Sequence, residues 1–464
     1  MRPYALMVAI WLALAPALVF AALGAGLERL SGLGLAAGWG RWPRWTACGL
    51  TAVFAAYMHP AIALLVAGLV FAARRGAGGP TTPRALVVGS RDTDGKWSAL
   101  VPVAIALAAV AVLRPAVPMY WDTFVWLGKA RIESEGLGAL RTAAIDPTAD
   151  VIPHGYPLLW PLAASWFSMF AKDAASLVAG AAATTLLALL LFLDAAADAF
   201  EGGERPPSGF DRRPRWALGG AMALLLVTPM FWVHLRSAYA DLPVGLLAAT
   251  CTLRLGRCLE GAKDVRRDLG DAVVAAMALA GTKDEGIGHV VAIVLAAVAV
   301  QPKAGRREAL QWLAVLGSAA VVFLGWRALL QAHHVLNTDH ELSTPAFEAF
   351  GSIGQIVAAS AGDTRTWGAL WPVAGAAVVA VLARRASFRP ATRLAAFALL
   401  GEATLLGSAL ILGPDRVRAF AFAGTLVNRL LVQLVPPTGA LLLLGLGDAA
   451  SRAAARRLSD AQSS

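Results

Sequence analysis

The sequence predicts an all-α, polytopic integral membrane protein, and three observations carry that prediction. Of 464 residues, 58% are hydrophobic and only 15% are charged, against roughly a quarter charged in a soluble globular chain. Mean hydropathy is +0.63. Apolar runs recur along the whole chain, enough for about 11–13 transmembrane helices at about 20 residues each. A polar-surfaced cytosolic enzyme, a disordered chain and a nucleic-acid-binding module are excluded. The net charge of +10 comes from 40 Lys+Arg, gathered in short loops between apolar runs as the positive-inside bias requires; no nucleic-acid partner is implied. Abundant Ala, Gly and Leu suit close helix packing in lipid, and equally a GC-rich bacterial genome. Cys48, Cys251 and Cys258 form neither a disulfide framework nor a metal-ligand spacing.

The elements follow in order. The first apolar run, 4–27, is too long for a signal-peptide core and is expected to be a retained helix. The second, 47–73, carries His59-Pro60, read as a packed histidine at a proline kink. Arg74, Arg75, Arg84, Arg91 and Lys96 follow and place the next loop in the cytoplasm. A third run, 100–113, returns to the opposite face. The mixed-charge stretch 114–156 is then the first outer loop, and the charge spacing over 123–135 suits an interfacial amphipathic helix.

Further apolar segments are expected at 156–171, 174–199, 215–234, 237–255, 270–282, 286–301, 308–331, 368–383, 391–413 and 430–449. Basic stretches at 205–215, 254–267, 303–307 and 384–393 read as cytoplasmic, as does the tail 451–464. The acidic stretch 332–367 reads as the second outer loop. Crossing parity does not close unless 156–171 is a half-helix or re-entrant piece, which Pro157 and Pro161 favour, or the basic loop near Arg212 breaks the rule. The chain has no internal repeat. Its domain reading is 1–97, two N-terminal helices and a basic loop; 98–450, the transmembrane catalytic module; and 451–464, the tail.

Polar groups are costly in lipid, so those that break the apolar pattern are the functional candidates. Trp121-Asp122, with Lys129 seven positions after Asp122, sets a carboxylate among aromatics at headgroup level. Partial burial there would raise its pKa toward that of a general base. His154-Gly155-Tyr156-Pro157 begins an apolar segment. Tyr239-Ala240-Asp241-Leu242-Pro243 and Thr282-Lys283-Asp284-Glu285-Gly286 place charges in short connectors, where a cation suits a phosphate. Glu402 is an intramembrane acid that either functions or is neutralised by snorkelling or an arginine. His333, His334 and His340 with Asp339 read as a solvated loop, and Asp194 and Asp198 as solvated residues ending a helix.

The order Trp-Asp-x-Phe…Lys-Ala, His-x-Tyr-Pro-Leu-Leu-x-Pro-Leu, Tyr-Ala-Asp-Leu-Pro, Thr-Lys-Asp-Glu-Gly, with a late Arg429-Leu430-Leu431…Pro436, resembles bacterial GT-C glycosyltransferases. These include the protein O-mannosyltransferase and aminoarabinose-transferase-like groups. The resemblance spans about 98–450. It implies a multi-pass enzyme of the bacterial cytoplasmic (inner) membrane, its site facing outward, that moves a sugar from a polyprenyl-phosphate-linked donor to a glycan, lipid or protein acceptor. On the resemblance, Asp122 matches the acidic residue that acts as base or holds the acceptor, and Asp241 the second acidic position. Trp121, Lys129, His154, Tyr156, Lys283, Glu285 and Arg429 are then substrate-binding, with Lys283 and Arg429 at the lipid phosphate. Two departures are visible. Thr123 follows Asp122 where many relatives carry a second acid, and Gly155 follows His154 where they carry proline. No cofactor is certain; the chemistry admits a divalent metal, Mg2+ or Mn2+, but no ligand cluster demands one. The alternatives are a transporter or flippase of lipid-linked saccharides without chemistry, or a cell-wall polymer ligase or polymerase. A transporter should pair Gly/Pro-broken helices between its halves, and no such pairing is present.

Overall fold

The computed structural model describes residues 19, 21–23, 42–58, 121–149, 155–168, 174–201, 224–235, 237–261, 265–335, 347–423 and 425–463. Among the described residues the chain is helical, without strands. Lipid offers the backbone no hydrogen bonds, and a helix satisfies its own. The helices are α1 (Trp42–Met58), α2 (Trp121–Glu135), α3 (Ala139–Ala144), α4 (Leu159–Phe167), α5 (Ala174–Glu201), α6 (Pro229–Leu235), α7 (Asp241–Leu259) and α8 (Val265–Thr282). They continue with α9 (Glu285–Val300), α10 (Arg306–Ala332), α11 (Phe350–Gly362), α12 (Thr364–Trp367), α13 (Leu370–Ala383), α14 (Pro390–Leu412), α15 (Asp415–Phe422) and α16 (Thr425–Ser463).

Among the described residues five helices are long and apolar enough to cross a membrane: Ser176–Ala199, Asp241–Leu259, Arg306–Ala332, Pro390–Leu412 and Leu426–Ala453. Thr46–Ala55, Glu285–Val300 and Leu370–Ala383 are apolar but shorter. The run at 100–113, and most of 4–27 and of 47–73 with His59, lie outside the described residues. Among the described residues the segment 156–171 holds one helix, the nine-residue, fully buried α4, about 14 Å long at 1.5 Å per residue. That is too short to cross. The two stretches expected as outer loops hold helices: 114–156 contains α2 and α3, and 332–367 contains α11 and α12. The boundary at 450 falls inside α16, which runs on to Ser463.

α7 is the central element, buried over almost its whole length and packed against α5, α8, α14 and α16. Two glycines permit close approaches of α7 to α16 and of α9 to α8. A Cβ on Gly245 would lie 2.4 Å from the Gln433 carbonyl oxygen on α16, and one on Gly286 would lie 2.0 Å from the Leu279 oxygen at the end of α8. Any side chain at either point would push the helices apart. Pro436 and Pro437 lie within α16 and remove two backbone donors there.

The ends of the bundle differ in character. At one end Arg254, 1% exposed, lies 2.6 Å from Asp198, 2.9 Å from Asp268 and 3.2 Å from Asp271, and also bonds Asp194. Arg257 reaches Asp268 at 2.9 Å and Arg267 reaches Asp198 at 2.7 Å. Asp194 and Asp198 are therefore not solvated helix-end residues; they clamp α5 to α7 and α8. The expected basic loop 254–267 is mostly the facing ends of α7 and α8. Nearby, Asp448 of α16 bonds Arg389 and accepts from Thr392 at 2.7 Å, tying the start of α14 to α16. The polar cluster at the opposite end is built from the other termini of α7, α8, α9 and α16.

Candidate functional site

Asp241 begins α7 and is fully buried. Its Oδ1 accepts from Lys283 Nζ at 2.8 Å and from Gln433 Nε2 at 2.8 Å, and its Oδ2 accepts from Arg429 Nε at 3.1 Å. A carboxylate at zero exposure persists only with such partners. Lys283 sits between α8 and α9 and also pairs with Glu285 at 3.0 Å. The neighbouring Asp284 pairs with Arg327 of α10 at 2.7 Å. The Lys283-Asp284-Glu285 connector is thus built into the protein and is no solvated loop.

The cluster has a closed side and an open side. Asp241 and Lys283 have 0% and 2% of their side chains exposed, whereas Glu285 and Arg429 have 19% and 20%. Arg429 lies over the Tyr239 ring at 5.1 Å, and Tyr239 packs on His234 at 5.1 Å. The open members are where a ligand would first meet the site.

Tyr156 joins the stretch that carries α2 and α3 to this cluster. The turn that carries it is held at both ends: Trp326 Nε1 donates to the Gly155 oxygen at 3.0 Å, and Trp160 Nε1 donates to the Ala238 oxygen at 3.1 Å. Burial, and then the Glu285 carboxylate, hold the Tyr156 phenol above its ordinary pKa, against the opposing pull of Lys283 and Arg429. It remains a neutral donor at physiological pH. On its other side Tyr156 packs on Trp126 at 5.5 Å, and the buried Lys129 places Nζ 5.7 Å from both rings. α2 is accordingly docked on the bundle, with Lys129 and Glu133 inside it. Glu133 accepts from Tyr57 at 2.9 Å and from the backbone of Gly138 and Leu140, which fixes the turn into α3.

The structure therefore brings Asp241, Lys283, Glu285, Arg429, Tyr156 and Lys129 together. Trp121 and Asp122 occupy the first turn of α2; their side chains, and His154 entirely, lie outside the described residues. Positions 122, 126 and 129 share one helical face. The sequence reading gave no role to Gln433, Arg327 or His289. Gln433 follows Arg429, and His289 follows Glu285, by four positions, the spacing that aligns side chains on a helix. Glu402 finds neither an arginine nor a route to snorkel; it is buried and faces His289 Nδ1 at 3.5 Å. The second-loop histidines His333 and His334 are exposed, while Asp339 and His340 lie outside the described residues.

Among the described residues no three His, Cys, Asp or Glu side chains converge as ligands, and Asp241 and Glu285 are engaged by cations. What the arrangement can do is hold an anion. Lys283 and Arg429 are held by carboxylates, and a phosphate oxyanion could compete for the guanidinium and ammonium groups. No protein-family model, curated protein or solved structure matches this chain.

Proposed function

We propose that this protein is a GT-C-like glycosyltransferase with the expected 11–13 membrane helices, acting at the outer face of a bacterial cytoplasmic membrane. It takes a polyprenyl-phosphate-linked sugar as donor and a glycan, lipid or protein hydroxyl as acceptor. The observation that carries this reading is the convergence of Asp241, Lys283, Glu285, Arg429 and Tyr156, from separate parts of the chain, on one partly open, ion-paired cluster with Arg429 on its open side.

In this reading Asp241 is not the base, since three donors occupy its carboxylate. It sets Lys283 and Arg429 in place. The donor phosphate binds at Arg429, with Lys283 behind it and the polyprenyl tail in lipid. Asp122 takes the proton from the acceptor hydroxyl as the new C–O bond forms at the anomeric carbon. The bond from that carbon to the phosphate oxygen breaks, and the phosphate leaves with the electron pair, stabilised by the two cations. A single displacement of this kind inverts the anomeric centre. Tyr156 and Lys129 line the path from the face of position 122 to the phosphate.

The test is Asp122→Asn in the full chain reconstituted in lipid. Sugar transfer is expected to fall by the factor of about 10²–10⁴ that a general base contributes, with donor binding retained. Full transfer by that variant removes the base assignment. Movement of the donor across the bilayer with its sugar–phosphate bond intact would identify a carrier instead.

A further inference from the structure

Below the anion cluster a second polar unit runs into the apolar interior. Gln433 donates through Nε2 to Asp241, and its Oε1 faces His289 Nε2 at 3.0 Å. Asp241 fixes the orientation of this amide, because the reverse would set a carbonyl oxygen against a carboxylate. The ring nitrogen that meets Oε1 must then carry a hydrogen. The other, Nδ1, faces the Glu402 carboxyl at 3.5 Å, and no other hydrogen-bonding group reaches that carboxyl among the described residues. His289 and Glu402 are 2% and 0% exposed. The remaining titratable neighbours are the Cys251 thiol from α7 and Glu285 at the start of α9.

An ionised Glu402 beside a neutral ring would leave a bare charge in the membrane interior. We propose that His289 and Glu402 form a buried proton site, holding one proton between Nδ1 and the carboxyl, whose position is read by Asp241 through Gln433. In one form the proton is on Glu402 and both groups are neutral. In the other the carboxyl O–H bond breaks, an Nδ1–H bond forms, and the electron pair stays on the carboxylate, so the unit remains neutral overall. With the proton on Nδ1 the Nε2–H is a stronger donor, the Gln433 amide is polarised, and its bond to Asp241 tightens. When an anionic ligand draws Lys283 or Arg429 away, the uncompensated Asp241 charge pulls the proton toward His289. The shift substitutes for the cation without importing a proton from water. This inference rests only on the Asp241 network and holds whether or not the protein transfers sugar.

The experiment is 15N-histidine NMR with infrared spectroscopy of the full chain in lipid nanodiscs. In the wild type the His289 Nε2 resonance is expected in its protonated position. A carboxylic-acid C=O band that Glu402→Gln abolishes is assigned to Glu402. Asp241→Asn removes the charge that attracts the proton, so the Glu402 band should gain intensity and Nδ1 should move toward its unprotonated position. Gln433→Leu cuts the link while leaving every charge in place, and should produce the same two shifts if Asp241→Asn does not fold. An Nε2 lacking its proton overturns the proposal. So does a folded Asp241→Asn or Gln433→Leu in which both signals match the wild type.

Discussion

Arg429 and Lys283 hold the same carboxylate but differ in exposure, and the difference predicts two behaviours. Arg429 is partly open and holds its guanidinium over the Tyr239 ring, so Arg429→Ala should spare the fold and weaken donor binding. One lost charge-assisted bond, about 1.5–3 kcal/mol, means a loss of roughly tenfold to a hundredfold in affinity. Lys283 is buried between Asp241 and Glu285. Lys283→Met should cost on the order of 3–5 kcal/mol, the range for breaking a buried ion pair from one side. Adding Asp241→Asn should recover part of that loss, because it removes the stranded charge, and a double-mutant cycle by thermal unfolding checks it. A double variant no more stable than Lys283→Met alone would mean that the two groups are not coupled. Asp241, Lys283 and Glu285 were legible in the sequence because polar residues stand out in so apolar a chain, and Arg429 only through the family resemblance. His289 and Gln433 were not. They sit inside apolar runs, and their meaning depends on α9, α14 and α16 meeting, which no spacing along one segment reveals. The buried roles of Asp194 and Asp198 were missed for the same reason: their partner Arg254 is supplied by another helix.

Helix contacts carry the site as much as its side chains do. Lys283-Asp284-Glu285 keeps its shape because Gly286 lets α9 start against the end of α8. Gly286→Val should lower the melting temperature and abolish donor binding together, while Gly136→Val, at a position where a Cβ meets nothing within 4 Å, should do neither. Measuring both properties in each variant tests the point, and normal binding by Gly286→Val would show that this close approach does not shape the cluster. The apolar period placed α7, α9, α10, α13 and α14 to within a few residues, since long hydrophobic helices advertise themselves. At 156–171 it left a crossing and a half-helix open, with Pro157 and Pro161 favouring the half-helix, and nine buried residues stand there as α4. Composition cannot distinguish a short helix sunk in protein from one that spans lipid.

Across the molecule the Asp241 cluster and the Arg254 cluster lie on the same helix, thirteen positions apart in sequence and so about 20 Å apart along α7. The proposal sets the first toward the outside and the second toward the cytoplasm. α10 joins the two levels, with Lys303 just before its start and His334 just after its end. Cysteines placed at those two positions report the orientation. A membrane-impermeant thiol reagent should label His334→Cys in intact cells, and Lys303→Cys only after permeabilisation; the reverse pattern would put the site in the cytoplasm. The central claim, that the Asp241 cluster receives a lipid-linked phosphate, is met most directly by equilibrium titration of the full chain in nanodiscs with a polyprenyl-phosphate-linked sugar. Wild-type protein and Arg131→Ala, which removes a cation from the exposed face of α2, should bind alike, and Arg429→Ala should bind at least tenfold more weakly. Equal affinity in all three would contradict the account.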